Sequence, residues 1–238
     1  MNLPLLIILN YYSEKSLYKI NMVLEVKSIC LKRNKKLLFK DLSLNLNKSQ
    51  ILILKGSNGV GKSSLLEAIV GMLELSAGEI KINGKSNLQS DNRFTYIGHN
   101  NSLKEELTVI ENLRLWVKLN NQTFADIEII EKLSFFKINH LFDHQINLLS
   151  AGQKKKVALS KLLFSNCKLW ILDEPVNSLD KDSRNQFNLL IEQQKKKGGS
   201  TLITTHLDLG LKSFIKIDLD VLKKKRITRI NPNNWNNL

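Results

Sequence analysis

The sequence predicts an α/β fold with a parallel core sheet, and two observations support this class. Short apolar runs are typical of strands buried on both faces of a parallel sheet, and they occur at Ile51 to Lys55, Leu169 to Leu172 and Thr201 to Thr204. Segments with helical apolar spacing lie between these runs, and strands that alternate with helices favour an α/β architecture. The 238 residues suffice for one such domain with a hydrophobic core.

The N-terminal part of the chain predicts a second type of strand. Between Val23 and Asn47, apolar and polar residues alternate, which favours strands with one buried face and one wet face. Further strand patterns lie at Glu79 to Ile82 and at Phe94 to Ile97. An antiparallel β subdomain is therefore expected beside the parallel sheet.

The C-terminal half begins mostly helical, between Thr108 and Leu163. A polar-faced helix is predicted from about Asp180 to Lys197, and the segment that starts at Ile215 favours a hairpin. We expect one domain at 22–230 with a helical insertion at about 99–165 and an Asn-rich tail at 231–238. Residues 1–21 form an N-terminal extension that is either disordered or absent, if translation begins at Met22.

Composition narrows the functional classes. The net charge is +14, and it has two interpretations: a codon pool biased towards Lys and Asn, or a basic face selected for acidic lipid or nucleic acid. Two cysteines, Cys30 and Cys167, cannot form a disulfide framework, so a reducing compartment is the simpler interpretation. The early apolar run from Leu3 to Leu9 is far shorter than the roughly 20 residues that span a bilayer.

A phosphate-binding loop is the strongest local signal. The octapeptide GSNGVGKS fits the pattern G-x-x-x-x-G-K-[ST], with a buried strand before it and a helix after it. Its backbone N–H groups and the start of the helix would surround a triphosphate, Lys62 would add a charge, and the Ser63 hydroxyl would bind Mg²⁺. The ATP-binding residues predicted here are Gly56, Ser57, Asn58, Gly59, Val60, Gly61, Lys62, Ser63 and Ser64.

A carboxylate pair, Asp173 and Glu174, follows the strand in KLWILDEP. Ligands of parallel sheets bind at the carboxyl ends of the strands, which is where this pair lies. Asp173 could hold Mg²⁺ through its water shell, and Glu174 could polarise the attacking water. Alone, such a pair is more often a solvated turn, but after a phosphate loop it is typical of a Walker B motif.

The stretch LSAGQKKKVALSKLL resembles the signature motif of ABC (ATP-binding cassette) ATPases, and it decides the family. The phosphate loop, this signature, the Walker B strand, SLD and TTH follow in the order of an ABC ATPase, over Val23 to Ile230. The resemblance implies that Glu174 is the general base, that His206 contacts the γ-phosphate, and that Asp180 lies in a loop linking two sites. It also implies that Ser150 and Gly152 contact the γ-phosphate of ATP bound to a second copy. The signature that would act in this way consists of Leu149, Ser150, Ala151, Gly152 and Gln153.

Three positions depart from the family pattern. His99 takes the place of the Gln that normally binds Mg²⁺ and water, and an imidazole there could still reach the metal. The aromatic residue that stacks on adenine falls near Arg33, whose guanidinium stacks less well. Ala151 replaces a Gly, which is a small change.

The segments YIGHNNSLKEELTVIENLRLW and LSAGQ are similar in sequence to those of the haem-exporter ATP-binding subunits of cytochrome c maturation (CcmA type). The resemblance implies ATP and Mg²⁺ as ligands, a head-to-tail dimer, integral membrane partners, and haem handled by the complex but not bound by this chain. It places the chain on the inner face of the mitochondrial inner membrane or of the bacterial cytoplasmic membrane, with no nucleic-acid partner. The alternatives are a transporter for another cargo, a soluble ABC protein acting on nucleic acid, and a copy that no longer hydrolyses ATP.

Overall fold

The computed structural model describes residues 22–88 and 94–222. Within these residues, five strands form the core sheet: β3 (Ile51–Lys55), β6 (Phe94–Ile97), β7 (Leu169–Asp173), β8 (Ser200–Thr204) and β9 (Ile215–Asp218). They lie in the order β6-β7-β8-β3-β9, and every neighbouring pair is parallel. The α/β fold with a parallel core sheet is therefore confirmed.

A separate antiparallel sheet covers one side of this core. Its strands are β1 (Met22–Arg33), β2 (Lys36–Asn47), β4 (Ala77–Ile82) and β5 (Lys85–Ser86), in the order β2-β1-β4-β5. The buried residues of β1 and β2 pack with those of the core, as the alternating pattern predicts. Asn34 and Lys35, both with positive φ, close the turn between these two strands.

The described part of the chain contains five α-helices: α1 (Lys62–Ile69), α2 (Val109–Leu119), α3 (Asp126–Leu133), α4 (Ala151–Ser160) and α5 (Lys181–Lys196). Short 3-10 turns lie between α3 and α4 and directly after α4. The helices α2 to α4 and these turns lie within the region predicted as a helical insertion, at about residues 99–165. No helix among the described residues is long and apolar enough to cross a membrane.

The core sheet is buried on both faces. Along β3, Ile51 and Ile53 point into the cluster that includes the helical insertion, whereas Leu52 and Leu54 point towards α1 and the antiparallel sheet. Such two-sided burial explains why the strand is a continuous apolar run. It also leaves only the ends of the strands available for polar chemistry.

The C-terminal segment differs from the predicted hairpin. β9 pairs in parallel with β3, and residues 219–222 are helical. The backbone N–H and C=O groups at the edge of β3 need hydrogen-bond partners, and β9 supplies them. For this short polar strand, that pairing outweighs the formation of a local hairpin. The remainder of the predicted hairpin, the N-terminal extension and the Asn-rich tail lie outside the described residues.

Candidate functional site

The phosphate loop connects β3 to α1 at the carboxyl edge of the core sheet. Gly59 and Gly61 have φ values of 77° and 110°, a region that residues with a Cβ rarely adopt. A Cβ on Gly61 would also lie 2.9 Å from the ring of Phe39. Both glycines are therefore required by the backbone of the loop, which curves around the space where a triphosphate would lie.

Lys62, the first residue of α1, is the central cation of the site. Its Nζ donates to the carbonyl oxygens of Gly56 at 2.8 Å and Ser57 at 3.4 Å, and lies 3.8 Å from Oε1 of Glu174. The side chain is only 8 % exposed, so these contacts act in a medium of reduced dielectric constant. The ammonium is thus held between the phosphate loop and the carboxylate pair.

The carboxylate pair lies at the end of β7, where Asp173 is the last residue of the strand and Glu174 has a left-handed φ of 45°. Thr204, at the end of β8, fixes both residues. Its hydroxyl donates to Oδ1 of Asp173 at 2.5 Å and accepts from the backbone N–H of Glu174 at 3.1 Å. One buried hydroxyl therefore orients the Asp173 carboxylate and holds the backbone of Glu174.

His206 follows β8 and reaches the same carboxylate from the opposite side. Its Nδ1 lies 3.2 Å from Oε2 of Glu174, while about half of the imidazole stays exposed. Glu174 therefore lies between Lys62 and His206, with one oxygen towards each. In this position a carboxylate can accept a proton from a water that lies in the adjoining cavity.

A cavity of about 730 Å³ joins these groups. Besides Lys62, Glu174 and His206, the cavity wall includes predicted site residues from the phosphate loop and the loop after β6: Asn58, Gly59, Gly61, Ser63, Ser64 and His99. The structure thus brings together residues that are far apart in the sequence. A nucleoside triphosphate is of suitable size and charge for such a cavity.

The cavity also fits a magnesium ion. Ser63 lines it, and Oδ2 of the buried Asp173 has no hydrogen-bond partner within the described part of the chain. A buried carboxylate oxygen without a partner is costly, and a hydrated divalent cation would compensate it. The donor set of a hydroxyl, a carboxylate and nucleotide phosphates is the one that Mg²⁺ prefers.

The signature residues are not among those that line this cavity. Ser150 caps α4 by accepting from the N–H of Gln153, and the Gln153 side chain accepts from the N–H of Ser150. A Cβ on Gly152 would lie 2.8 Å from the carbonyl oxygen of Ser178, so the start of α4 packs closely on the loop before α5. The exposed Ser150 is free to contact a ligand from outside this molecule.

Asp180 stabilises the same junction. It caps α5 by accepting from the N–H of Ser183 at 2.8 Å, and its other oxygen lies 2.9 Å from Nζ of Lys156 on α4. The Lys156 ammonium, followed by the Ser183 donors, holds the pKa of the Asp180 carboxyl well below its usual range. The predicted inter-site loop is thus joined to the signature helix by an ion pair.

The two unusual positions both face the cavity. His99 lines it, and its role as a metal ligand stays a prediction. Arg33 lines it too, but its Nη1 donates to Glu67 at 2.7 Å and Ser64 at 3.0 Å, which fixes the guanidinium against α1. Arg33 therefore stabilises the wall of the cavity beside the place expected for adenine.

Some residues that build this site were not predicted from the sequence. Thr204 stood within the TTH stretch, but its bond to Asp173 depends on the pairing of β7 with β8. Asn177 lines the cavity, and the Asp220 carboxylate accepts from the N–H and the hydroxyl of Ser57. Asp220 lies 163 positions from Ser57, so no local pattern could have found this contact.

The comparisons with known proteins agree with this geometry. The family model described as ABC transporter matches residues 39–177, which is more than half of the chain. The chain belongs to the ABC transporter family. Among its relatives, the cytochrome c biogenesis ATP-binding export protein CcmA of Vibrio cholerae is 36% identical over 192 residues, covering 79% of this chain and 92% of that protein.

Solved structures of ABC cassettes share the fold. A structure described as the ATP-binding subunit of an ABC transporter has a TM-score of 0.74 and 27% identity, and the match covers 88% of this chain and 95% of that one. A dimeric ATP-binding cassette in a post-hydrolysis state, bound to ADP and Pi, has a TM-score of 0.67 and 21% identity over 77% of this chain and 88% of that one. The chain is therefore an ABC ATP-binding subunit of the CcmA type.

Proposed function

We propose that this chain hydrolyses ATP as the nucleotide-binding subunit of a membrane complex that serves haem delivery in cytochrome c biogenesis. The observation that carries the catalytic part is the position of Glu174 in the wall of the phosphate-loop cavity, between Lys62 and His206. The CcmA relatives support the biological assignment, since they are export proteins of cytochrome c biogenesis.

The mechanism is based on positioning and charge. The phosphate loop would bind the triphosphate, and Lys62 would exchange its present contacts with Gly56 and Ser57 for phosphate oxygens. Mg²⁺, held by Ser63 and Asp173, would neutralise charge on the phosphates. Glu174 would orient the attacking water and accept its proton, and His206 would donate to the γ-phosphate.

A second copy of the chain would complete each site. Ser150 is exposed at the N-terminus of α4 and does not line the cavity, so the donors there suit an anion from another molecule. The dimeric cassette bound to ADP and Pi provides a precedent within this fold. Closure of such a dimer would be transmitted to integral membrane subunits, which would handle the haem.

The general base is tested by Glu174→Gln, with ATP turnover and nucleotide binding measured on the assembled complex. Removal of a general base costs about 10²- to 10⁴-fold in rate. We expect turnover to fall within that range while ATP binding remains. Lys62→Ala should instead weaken binding, and Glu105→Gln, at an exposed pair, serves as the matched control. Normal turnover by the Glu174 variant would exclude the assigned base.

The membrane and cargo assignments need their own experiment. We expect the chain to fractionate with the membrane of an energy-transducing compartment, mitochondrial or bacterial, and to purify with integral subunits. Haem should be found in the assembly and not in the isolated chain. If the chain instead remains off the membrane and binds RNA or DNA in a salt-sensitive way, the +14 charge would reflect nucleic-acid binding.

A further inference from the structure

The loop after β6 carries His99 into the cavity, and its backbone is strained. We call residues 98–102 the His99 loop. Asn101 and Ser102 have φ values of 57° and 49°, in the left-handed region. For a residue with a Cβ this conformation costs about 1–2 kcal/mol, although asparagine tolerates it better than most. Two such residues in a row need support from outside the loop.

That support comes from a buried lysine. Lys161, in the 3-10 turn that continues α4, donates from Nζ to the carbonyl oxygens of Asn101 at 3.0 Å and Ser102 at 2.8 Å. The residue is only 4% exposed. Its ammonium forms no ion pair within the described residues, so backbone carbonyls are its known partners.

The burial of Lys161 has an electrostatic cost. Desolvation lowers the pKa of Lys161 from 10.5 to about 8, so the side chain is still mostly charged at neutral pH. Hydrogen bonds from a charged donor are about twice as strong as neutral ones. Lys161 therefore keeps its charge in the interior and binds two backbone carbonyls of strained residues. These bonds strongly restrict the conformation of the loop.

A second contact joins α4 to residue 105, just beyond the His99 loop, and it is much weaker. Lys154 on α4 lies 2.7 Å from Glu105, but the pair is solvent-exposed, and such pairs contribute about 0–1 kcal/mol. The other charged side chains of α4 are Lys155, which is buried near Asp173 and Glu174, and Lys156, which pairs with Asp180. Lys161 is therefore the main polar connection from this helix to the His99 loop.

We propose that Lys161 is a positioning residue that fixes the His99 loop to the signature helix, so that His99 reaches the bound nucleotide only when this connection is intact. The inference rests on the proposed function, because it assumes that the cavity binds ATP. Through Lys161, a shift of α4 on contact with the nucleotide of a second copy would move the loop that lines the cavity of the first. Lys161 itself would touch neither nucleotide nor metal.

The test compares Lys161→Met, Lys161→Gln and Lys161→Arg in the assembled complex, with Glu105→Gln as the control for the exposed pair. We expect both neutral variants to lose at least about tenfold in kcat with little change in the KM for ATP, since the phosphate loop stays intact. The arginine should restore most of the rate, because its charged N–H groups can reach both carbonyls.

Several outcomes would overturn the inference. One is wild-type kcat in a folded neutral variant. Another is a higher KM for ATP with an unchanged kcat, and a third is failure of Lys161→Arg to restore the rate. A fourth is failure of both neutral variants to fold, which would make Lys161 a stability residue only. The Glu174→Gln variant distinguishes a failure of the proposed function from a failure of the positioning role. If it is inactive while Lys161→Met is fully active, the proposed function stands and the positioning role does not.

Discussion

Thr204→Val tests how the end of β8 orients the carboxylate pair. The substitution keeps the β-branched shape that suits a strand but removes the hydroxyl between Asp173 and Glu174. The hydrogen bond to the carboxylate is buried, and bonds to charged groups contribute about 1.5–3 kcal/mol. The N–H of Glu174 keeps the carbonyl oxygen of Thr204 as an acceptor, so the loss arises mainly at Asp173.

We therefore expect Thr204→Val to lower the free energy of unfolding by about 2 kcal/mol, or the melting temperature by about 4–8 °C for a chain of this size. Urea and thermal unfolding measure the loss, and ATP turnover should fall with it because the Asp173 carboxylate loses its fixed direction. Thr204→Ser keeps the hydroxyl and should cost less than half as much. A valine variant as stable and as active as the wild type would refute this reasoning.

Three further predictions concern stability. Gly78→Ala should destabilise the protein by several kcal/mol, since its Cβ would lie 2.5 Å from the carbonyl oxygen of Lys27, whereas Gly84→Ala, with a similar φ and open space, should cost about 1 kcal/mol in the same unfolding assay. Asp180→Ala should cost about 1 kcal/mol through the lost cap of α5, with Asp180→Asn costing less. Because burial lowers the pKa of Lys161 in the folded state, the folded protein loses this proton before the unfolded chain does as pH rises. Between pH 8 and 10.5, the free energy of unfolding of the wild type in urea should therefore rise by up to about 3 kcal/mol relative to that of Lys161→Met. The same dependence of the unfolding free energy on pH in both proteins would contradict the lowered pKa.

The sequence predicts most of the fold because its signals are local. The run Ile51 to Lys55 is apolar because both faces of β3 are buried, and the polar cap at Asp180 marks the start of α5 within one residue. The hairpin prediction failed at Ile215 because the partner of β9 is β3, far away in the chain. Alternation alone does not say which strand supplies the pairing edge.

The site also has parts that the sequence predicts and parts that it does not. The glycine spacing of the phosphate loop and the Asp173–Glu174 pair are predictable because they are patterns of consecutive or closely spaced residues. The bonds of Thr204, Lys161 and Asp220 join segments that meet only after folding. Their residue types are common, so only the three-dimensional arrangement distinguishes them from ordinary polar residues.

The central claim is that the phosphate loop of one molecule and the signature of another act on the same ATP. The most direct test mixes two inactive variants, Lys62→Ala and Ser150→Arg, in the reconstituted complex and measures ATP turnover. A mixed dimer contains one site with an intact loop and an intact signature, so the mixture should recover a substantial part of the activity that neither variant has alone. If the mixture stays as inactive as its components, the two segments do not share a nucleotide.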